Sequence, residues 1–264
     1  MGLSILIETP DSTILFDAGP SPSTLESNAV ALGKNLSLVD FVVISHSHYD
    51  HVDGLPYVAR VNPNITVYIP GHMAAPIKDQ IRNLGFNVVD VTSTTVVAPG
   101  ISIIGELEGI LFSKAYEQGL AINVAGVGLG VIVGCSHPRV ENIVAKGVND
   151  LQINAFMVIG GFHLWGISEQ ELNNTVISLL ESGIKKIYPI HCSGVPVREF
   201  IQQNYPEYYG GGCVGCQLLL NTNFLPPTTS NQETVSTTGF SCYSIATMAV
   251  LAVSVSIFHI KKRR

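Results

Sequence analysis

Six residues, His46-Ser47-His48-Tyr49-Asp50-His51, follow directly on the apolar run Phe41-Val42-Val43-Ile44 and restrict the fold more than any other stretch of the chain. Three imidazoles and a carboxylate this close together repel one another when charged and compete for hydrogen bonds when buried neutral, whereas a divalent cation accepts all their lone pairs. The hexapeptide therefore needs a rigid strand ahead of it and a helix behind it. His46 and His48, two apart in extended or turning backbone, project to one side and can share an ion. Asp50 and His51 come one turn later and can face a second. Asp53-Gly54-Leu55-Pro56 reads as the helix start, with Asp53 as cap and proline in the first turn. The spacing predicts a binuclear centre on a strand-to-helix loop, and with it metal-assisted hydrolysis.

A chain of 264 residues, 46% hydrophobic, buries one large core and is too short for two ordinary domains plus a tail. Its net charge of −6 includes four basic residues at 261–264, which leaves −10 on residues 1–260. Such a surface disfavours a nucleic-acid partner and leaves a small molecule as the expected substrate. The five cysteines lack the density of a disulfide framework. Cys213 and Cys216 form a CxxC that could close a local disulfide or be half of a zinc site, but no second CxxC completes four ligands, and two small residues in a Gly-rich turn is the preferred reading.

Short β-branched runs alternate with helical stretches. Gly2 to Glu8 and Thr13 to Asp17 flank Pro10-Asp11-Ser12 as a hairpin. Strands are expected at 41–45, 65–69, 88–91, 101–104, 120–125, 131–134, 155–159, 187–190 and 216–220, and helices at 25–32, 74–84, 140–146, 168–182 and 196–203. Hairpins first and βα units later predict an α/β domain over residues 1–221, with a mixed sheet structure covered by helices. Residues 222–240 are mostly Thr, Ser, Asn and Pro and read as a linker. Residues 241–264 carry an uncharged apolar run ending in Lys261-Lys262-Arg263-Arg264, which predicts a C-terminal transmembrane helix with a basic stop and hence a membrane location. The positive-inside rule then puts the catalytic domain outside the cytoplasm, although Met1-Gly2-Leu3-Ser4 begins without a signal peptide.

Four further stretches place polar groups at strand ends: Asp17-Ala18-Gly19, Gly134-Cys135-Ser136-His137-Pro138, Gly160-Gly161-Phe162-His163-Leu164 and Pro189-Ile190-His191-Cys192-Ser193-Gly194. In a sandwich whose strands end at one rim, these loops converge on the hexapeptide. The HxHxDH pattern in its strand-to-helix setting resembles the metallo-β-lactamase-fold hydrolases. GLSILIE, ILFDAG, GCSHP, GGFHL and HCSG, in this order, resemble the subfamily of dihydropterin-ribofuranosylaminobenzene phosphate synthases. The resemblance implies an αβ/βα four-layer sandwich with metals at one edge. It implies His46 and His48 on one ion, Asp50, His51 and His191 on the other, and two divalent ions, zinc with manganese as the alternative.

The sequence departs from the superfamily where a bridging aspartate is usual, since Gly134-Cys135 stands there, and where a further histidine is usual, since Gly105-Glu106 stands there. His137 is the expected replacement ligand and Cys135 a candidate bridging thiolate, which would favour zinc. His163 is a candidate substrate contact or proton donor, with Glu117 and Glu106 as weaker candidates. Asp17 is expected to buttress a ligand histidine, and His72 to be structural. The function expected is hydrolysis of a phosphorylated or ester-like small molecule. The alternatives are a membrane-tethered phosphodiesterase or lactonase, and a non-catalytic metal-binding sensor module. In the subfamily a further strand commonly precedes the segment matching Gly2 to Glu8. An upstream start carrying a signal sequence would reconcile the topology, and otherwise a tail-anchored cytoplasmic enzyme is expected.

Overall fold

Alternation along the strands sorts the side chains into three apolar layers. On β1 (Leu3–Glu8), Leu3, Ile5 and Ile7 join one core while Leu6 faces another. The computed structural model describes residues 2–220 and, for the backbone alone, 253–259. β2 (Thr13–Phe16), β3 (Phe41–Val43), β4 (Thr66–Pro70) and β5 (Asn87–Val91) run parallel to one another beside β1. The second sheet holds β6 (Thr95–Ala98), β7 (Ile101–Glu108), β8 (Tyr116–Val124), β9 (Gly128–Val133), β10 (Ala155–Gly161) and β11 (Lys186–Ile190). It is an antiparallel meander to β9 and parallel from β9 to β11.

The central core lies between the sheets, where Ile5, Phe16 and Val43 meet Ile103, Leu120, Ile132 and Ile159. Outside the first sheet, α1 (Pro22–Ala31), α3 (Leu55–Val61) and α4 (Ala75–Arg82) bury Leu25, Val58 and Ile81 against Leu15, Val42 and Val67. Outside the second, α5 (Val140–Leu151), α6 (Glu169–Glu181) and α7 (Val195–Asn204) bury Ile143, Leu179 and Ile201 against Val131, Val133 and Val158. Helices, sheet, sheet and helices thus make four layers, each helical face apolar toward its own sheet.

The hexapeptide region departs from the expected loop and cap. Tyr49–Val52 is a one-turn helix, α2, so Asp50 and His51 sit on helical backbone. Asp53 closes α2, and Gly54 rather than Asp53 stands at the start of α3. The reason is a close approach of two backbones: a Cβ at Gly54 would lie 1.8 Å from the carbonyl oxygen of Ala18, and Gly54 N–H donates to Gly19 O at 3.0 Å. Gly54→Ala is therefore expected to destabilise the fold by roughly 1–3 kcal/mol or more in chemical denaturation. A change below about 0.5 kcal/mol, the size usual for an uncoupled surface substitution, would refute this packing role.

Two further expectations change. Cys213 and Cys216 are joined as a disulfide with Cα atoms 5.2 Å apart, the alternative to the plain turn preferred from sequence. At the C-terminus, β13 (Val253–His259) is a strand between β1 and β12 (Gln217–Leu220), antiparallel to both, with Leu3 opposite His259 and Leu220 opposite Val253. The segment Val-Ser-Val-Ser-Ile-Phe-His alternates β-branched and polar residues for most of its length, the period of a strand rather than of a helix. It extends the first sheet beyond β1. No helix among the described residues is long and apolar enough to cross a membrane. The linker expected at 222–240 and the rest of the helix expected over 241–264 lie outside the described residues.

Candidate metal centre

Strand ends from both sheets deliver the polar side chains to one rim. Asp17 follows β2, His46 follows β3, Cys135 to His137 follow β9, His163 follows β10 and His191 follows β11. Four of these turns place a non-glycine residue at positive φ: Asp17 at 59°, Ser136 at 62°, His163 at 47° and His191 at 50°. Such backbone costs of order 1 kcal/mol or more per residue and persists where the surroundings fix it. Here each turn tips a polar side chain off the end of a strand into the common site.

Each of four imidazoles is held by a partner on its far nitrogen. Asp17 accepts from Ser45 N–H and Ser45 Oγ, both at 2.7 Å, and from His51 Nδ1 at 2.6 Å. With its proton donated to Asp17, Ser45 Oγ accepts from His46 Nδ1 at 2.8 Å. Glu117 Oε2 lies 2.9 Å from His137 Nδ1, and Ser113 Oγ lies 3.2 Å from His48 Nε2. This network places a proton on Nδ1 of His46, His51 and His137 and leaves their Nε2 lone pairs for the interior, while the Ser113 hydroxyl can serve either tautomer of His48.

The ring nitrogens converge. His46 Nε2 and His48 Nδ1 are 3.0 Å apart, and the donor atoms of His46, His48 and His137 all lie within 4.8 Å of one another. His137 Nε2 is buried with no hydrogen-bond partner among the described residues. Asp50, His51 and His191 form a second group, with Asp50 Oδ1 3.9 Å from His51 Nε2 and Oδ2 3.5 Å from His191 Nε2. Cys135 Sγ, 3.3 Å from His51 Nε2, forms a further group with His46 and His51. The unpartnered, buried Nε2 of His137 beside the crowded ring nitrogens of His46 and His48 fits a divalent metal, which imidazole nitrogens at this spacing coordinate.

Electrostatics keep the donors available. Burial, reinforced by the neighbouring imidazoles, holds His46 and His51 well below the ordinary histidine value of 6.5, and burial lowers His48 as well. Burial opposes ionisation of Glu117, but the field of His46 and the contacts with His137 outweigh it and hold the carboxyl at about 2. Burial pushes Asp17 and Asp50 upward. Cys192 is drawn down to about 6 against its burial by hydrogen bonds from Cys135 and His163, and Cys135 is pushed up in turn.

The six histidine and aspartate residues expected at the metals, His46, His48, Asp50, His51, His137 and His191, are brought into two adjoining groups. Glu117 does not face substrate. It is fully buried and accepts the backbone N–H groups of Cys135, Ser136 and His137 at 2.7–2.9 Å, so it is a positioning residue. Glu106 is also structural, holding the backbone N–H and ring of His72. Asp17 buttresses His51 as expected. His163 lies at the mouth, its ring 4.6 Å from Phe112 and 5.0 Å from His137 between centroids. Phe112 also stacks on Trp165 at 5.0 Å, and both are at least half exposed. Sequence reasoning missed Ser113, Phe112, Trp165 and Cys192, of which only Cys192, inside HCSG, sat in a motif already singled out.

The sequence model of the metallo-beta-lactamase superfamily matches residues 1–137. Over 251 residues the chain is 28% identical to the 7,8-dihydropterin-6-methyl-4-(beta-D-ribofuranosyl)-aminobenzene-5'-phosphate synthase of Methanocaldococcus jannaschii, with 78% of this chain and 85% of the relative covered. A second, uncharacterized protein of that organism is 28% identical over 234 residues, covering 79% and 90%. Among solved structures, Tm1679, described as a metal-dependent hydrolase of the beta-lactamase superfamily, superposes with a TM-score of 0.65 at 22% identity, covering 80% of this chain and 96% of that one. The metallo-beta-lactamase fold protein YhfI of Bacillus subtilis gives 0.54 at 14% identity, covering 78% and 86%. These likenesses concern the fold, and the fold implies divalent metal binding at a His-rich site.

Proposed function

We propose that this chain, which belongs to the metallo-beta-lactamase superfamily, is a binuclear hydrolase that uses zinc, or manganese in its place, to cleave a phosphorylated or ester-like small molecule. The observation that carries this reading is the convergence of ring nitrogens, with those of His46, His48 and His137 within 4.8 Å of one another and those of His51 and His191 beside Asp50. His46, His48 and His137 would hold one ion, and Asp50, His51 and His191 the other. Ions held there supply Lewis-acid polarisation of the scissile group and acidify a water toward neutral pH. Asp50, whose two oxygens lie 3.9 Å from His51 Nε2 and 3.5 Å from His191 Nε2, would help hold the second ion and would be the carboxylate placed to accept a proton there.

His163 presents its outer nitrogen to the departing group, held in place by the Phe112 ring stacked on it. The flat faces of Phe112 and Trp165 suit a planar ring on the substrate. A relative named for a dihydropterin and a ribofuranosyl-aminobenzene phosphate makes an aryl or pterin-like phosphate the first class to try. The −10 charge on residues 1–260 supports a small molecule over a nucleic acid.

The test is turnover by the metal-loaded chain on aryl phosphate mono- and diesters, aryl esters and lactones. Hydrolysis of at least one is expected, with Asp50→Ala lowering it by about 100-fold or more. Stoichiometric metal binding without turnover of any would overturn the hydrolytic reading in favour of a metal-binding module.

A further inference from the structure

Cys135, His163 and Cys192 follow β9, β10 and β11, which are adjacent parallel strands of the second sheet. Their donor atoms, the two Sγ and a ring nitrogen of His163, lie within 4.8 Å of one another. The cluster is assembled by close packing. A Cβ at Gly161 would lie 2.5 Å from Cys192 Sγ, so only glycine leaves room for the sulfur there. The His163 ring hydrogen-bonds the Cys192 thiol, so the imidazole and the sulfur already touch. Cys135 is 3% exposed, and both cysteines are free of disulfide.

We propose that Cys135, His163 and Cys192 form a third metal site, rich in sulfur, that takes a thiophilic divalent cation such as zinc or cadmium. A tetrahedral ion with bonds of about 2.3 Å to sulfur and 2.0–2.1 Å to nitrogen spaces its donors roughly 3.5–3.8 Å apart. Donors already within 4.8 Å close to that spacing by small side-chain movements. Two thiolates and an imidazole select a soft cation over magnesium or manganese. On binding, any proton still held by either sulfur goes to solvent and each thiolate donates a lone pair to the cation, with no change of oxidation state. Cys135 Sγ, 3.3 Å from His51 Nε2, stands between this site and the histidine groups and ties the two together. The inner nitrogen of His163 serves the ion, and its outer nitrogen stays available to substrate.

The experiment is cadmium titration of the reduced, chelator-stripped full chain, carrying Cys213→Ser, Cys216→Ser and Cys242→Ser so that only two thiols remain. The readouts are the ultraviolet thiolate-to-cadmium charge-transfer band and bound metal per chain. A saturable band is expected, falling to about half its intensity in Cys192→Ser together with the loss of one equivalent of metal. His48→Ala is expected to lower the metal count while leaving the band intact, which separates failure of this site from failure of the histidine groups. A band and count unchanged by Cys192→Ser would overturn the proposal, and so would recovery of a Cys135–Cys192 disulfide in place of cadmium binding. If Cys192→Ser does not fold, His163→Gln decides instead: loss of one equivalent supports the site, and an unchanged count refutes it.

Discussion

Glu117→Ala is expected to destabilise the chain by about 3–5 kcal/mol and to weaken divalent-metal binding by about 10- to 100-fold. Glu117 lies on β8 and is fully buried, with each oxygen accepting twice. Oε1 takes the N–H groups of Cys135 and Ser136 at 2.8 and 2.7 Å, and Oε2 takes the N–H and Nδ1 of His137, both at 2.9 Å. Truncation leaves three backbone donors without an acceptor in a dry interior, each costing about 1–3 kcal/mol, and frees the His137 ring to rotate away from the site. Glu117→Gln keeps one oxygen for two donors but turns an NH₂ group toward His137. It is therefore expected to recover part of the stability and little of the metal affinity. Chemical denaturation of metal-free protein and competitive metal titration measure the two effects separately. A loss below about 1 kcal/mol with unchanged affinity would show that the loop holds its shape without the carboxylate.

That role was hidden from sequence because it depends on strand register. Glu117 reaches residues 135–137 only because β8 pairs antiparallel with β9, eighteen or more positions away along the chain. The same holds for Cys135 and Cys192, 57 residues apart and joined through the parallel pairing of β9, β10 and β11. By contrast, His46 to His51 are legible because their spacing, the preceding apolar run and the following helix are all local. The strand ends bearing Asp17, His137, His163 and His191 were legible for the same reason, each closing an apolar run.

Local signals failed where two periods compete. Residues 245–260 carry enough apolar residues for a membrane helix, yet Val253–His259 forms a strand, because alternation with serine decides once a partner edge is available. β6 was missed because an edge strand of four residues, Thr95–Ala98, is only partly buried, through Val97 and Ala98, and shows no alternation to read. Asp53 failed as a cap because the tight approach of Gly54 to Ala18, a tertiary contact, fixes where α3 begins.

Metal-free protein is expected to lose stability steeply as the pH falls below about 6.5, the ordinary histidine value. His46 and His51 are held well below that value, first by burial and then by neighbouring imidazoles, and His48 is lowered by burial. The unfolded chain therefore takes up protons that the folded chain refuses. Their contribution to stability is complete above pH 6.5 and shrinks as the pH falls toward the depressed folded values. Two such groups give a slope of up to about 2.7 kcal/mol per pH unit within that window. Asp17, raised by burial, acts in the opposite sense, because the folded state takes its proton first on acidification and so offsets part of the loss. Glu117, held at about 2 against an ordinary 4.5, adds a second loss only below pH 4.5. Bound ions stabilise the folded state by mass action and require the same nitrogens to be unprotonated, so the loaded protein is expected to begin its decline at lower pH and to release metal as it does. Denaturation midpoints measured from about pH 8 to 5, with and without chelator, test both statements. His51→Gln should flatten the metal-free slope by about one proton, and a metal-free profile that is level across this range would show that the imidazoles are not held neutral by the fold.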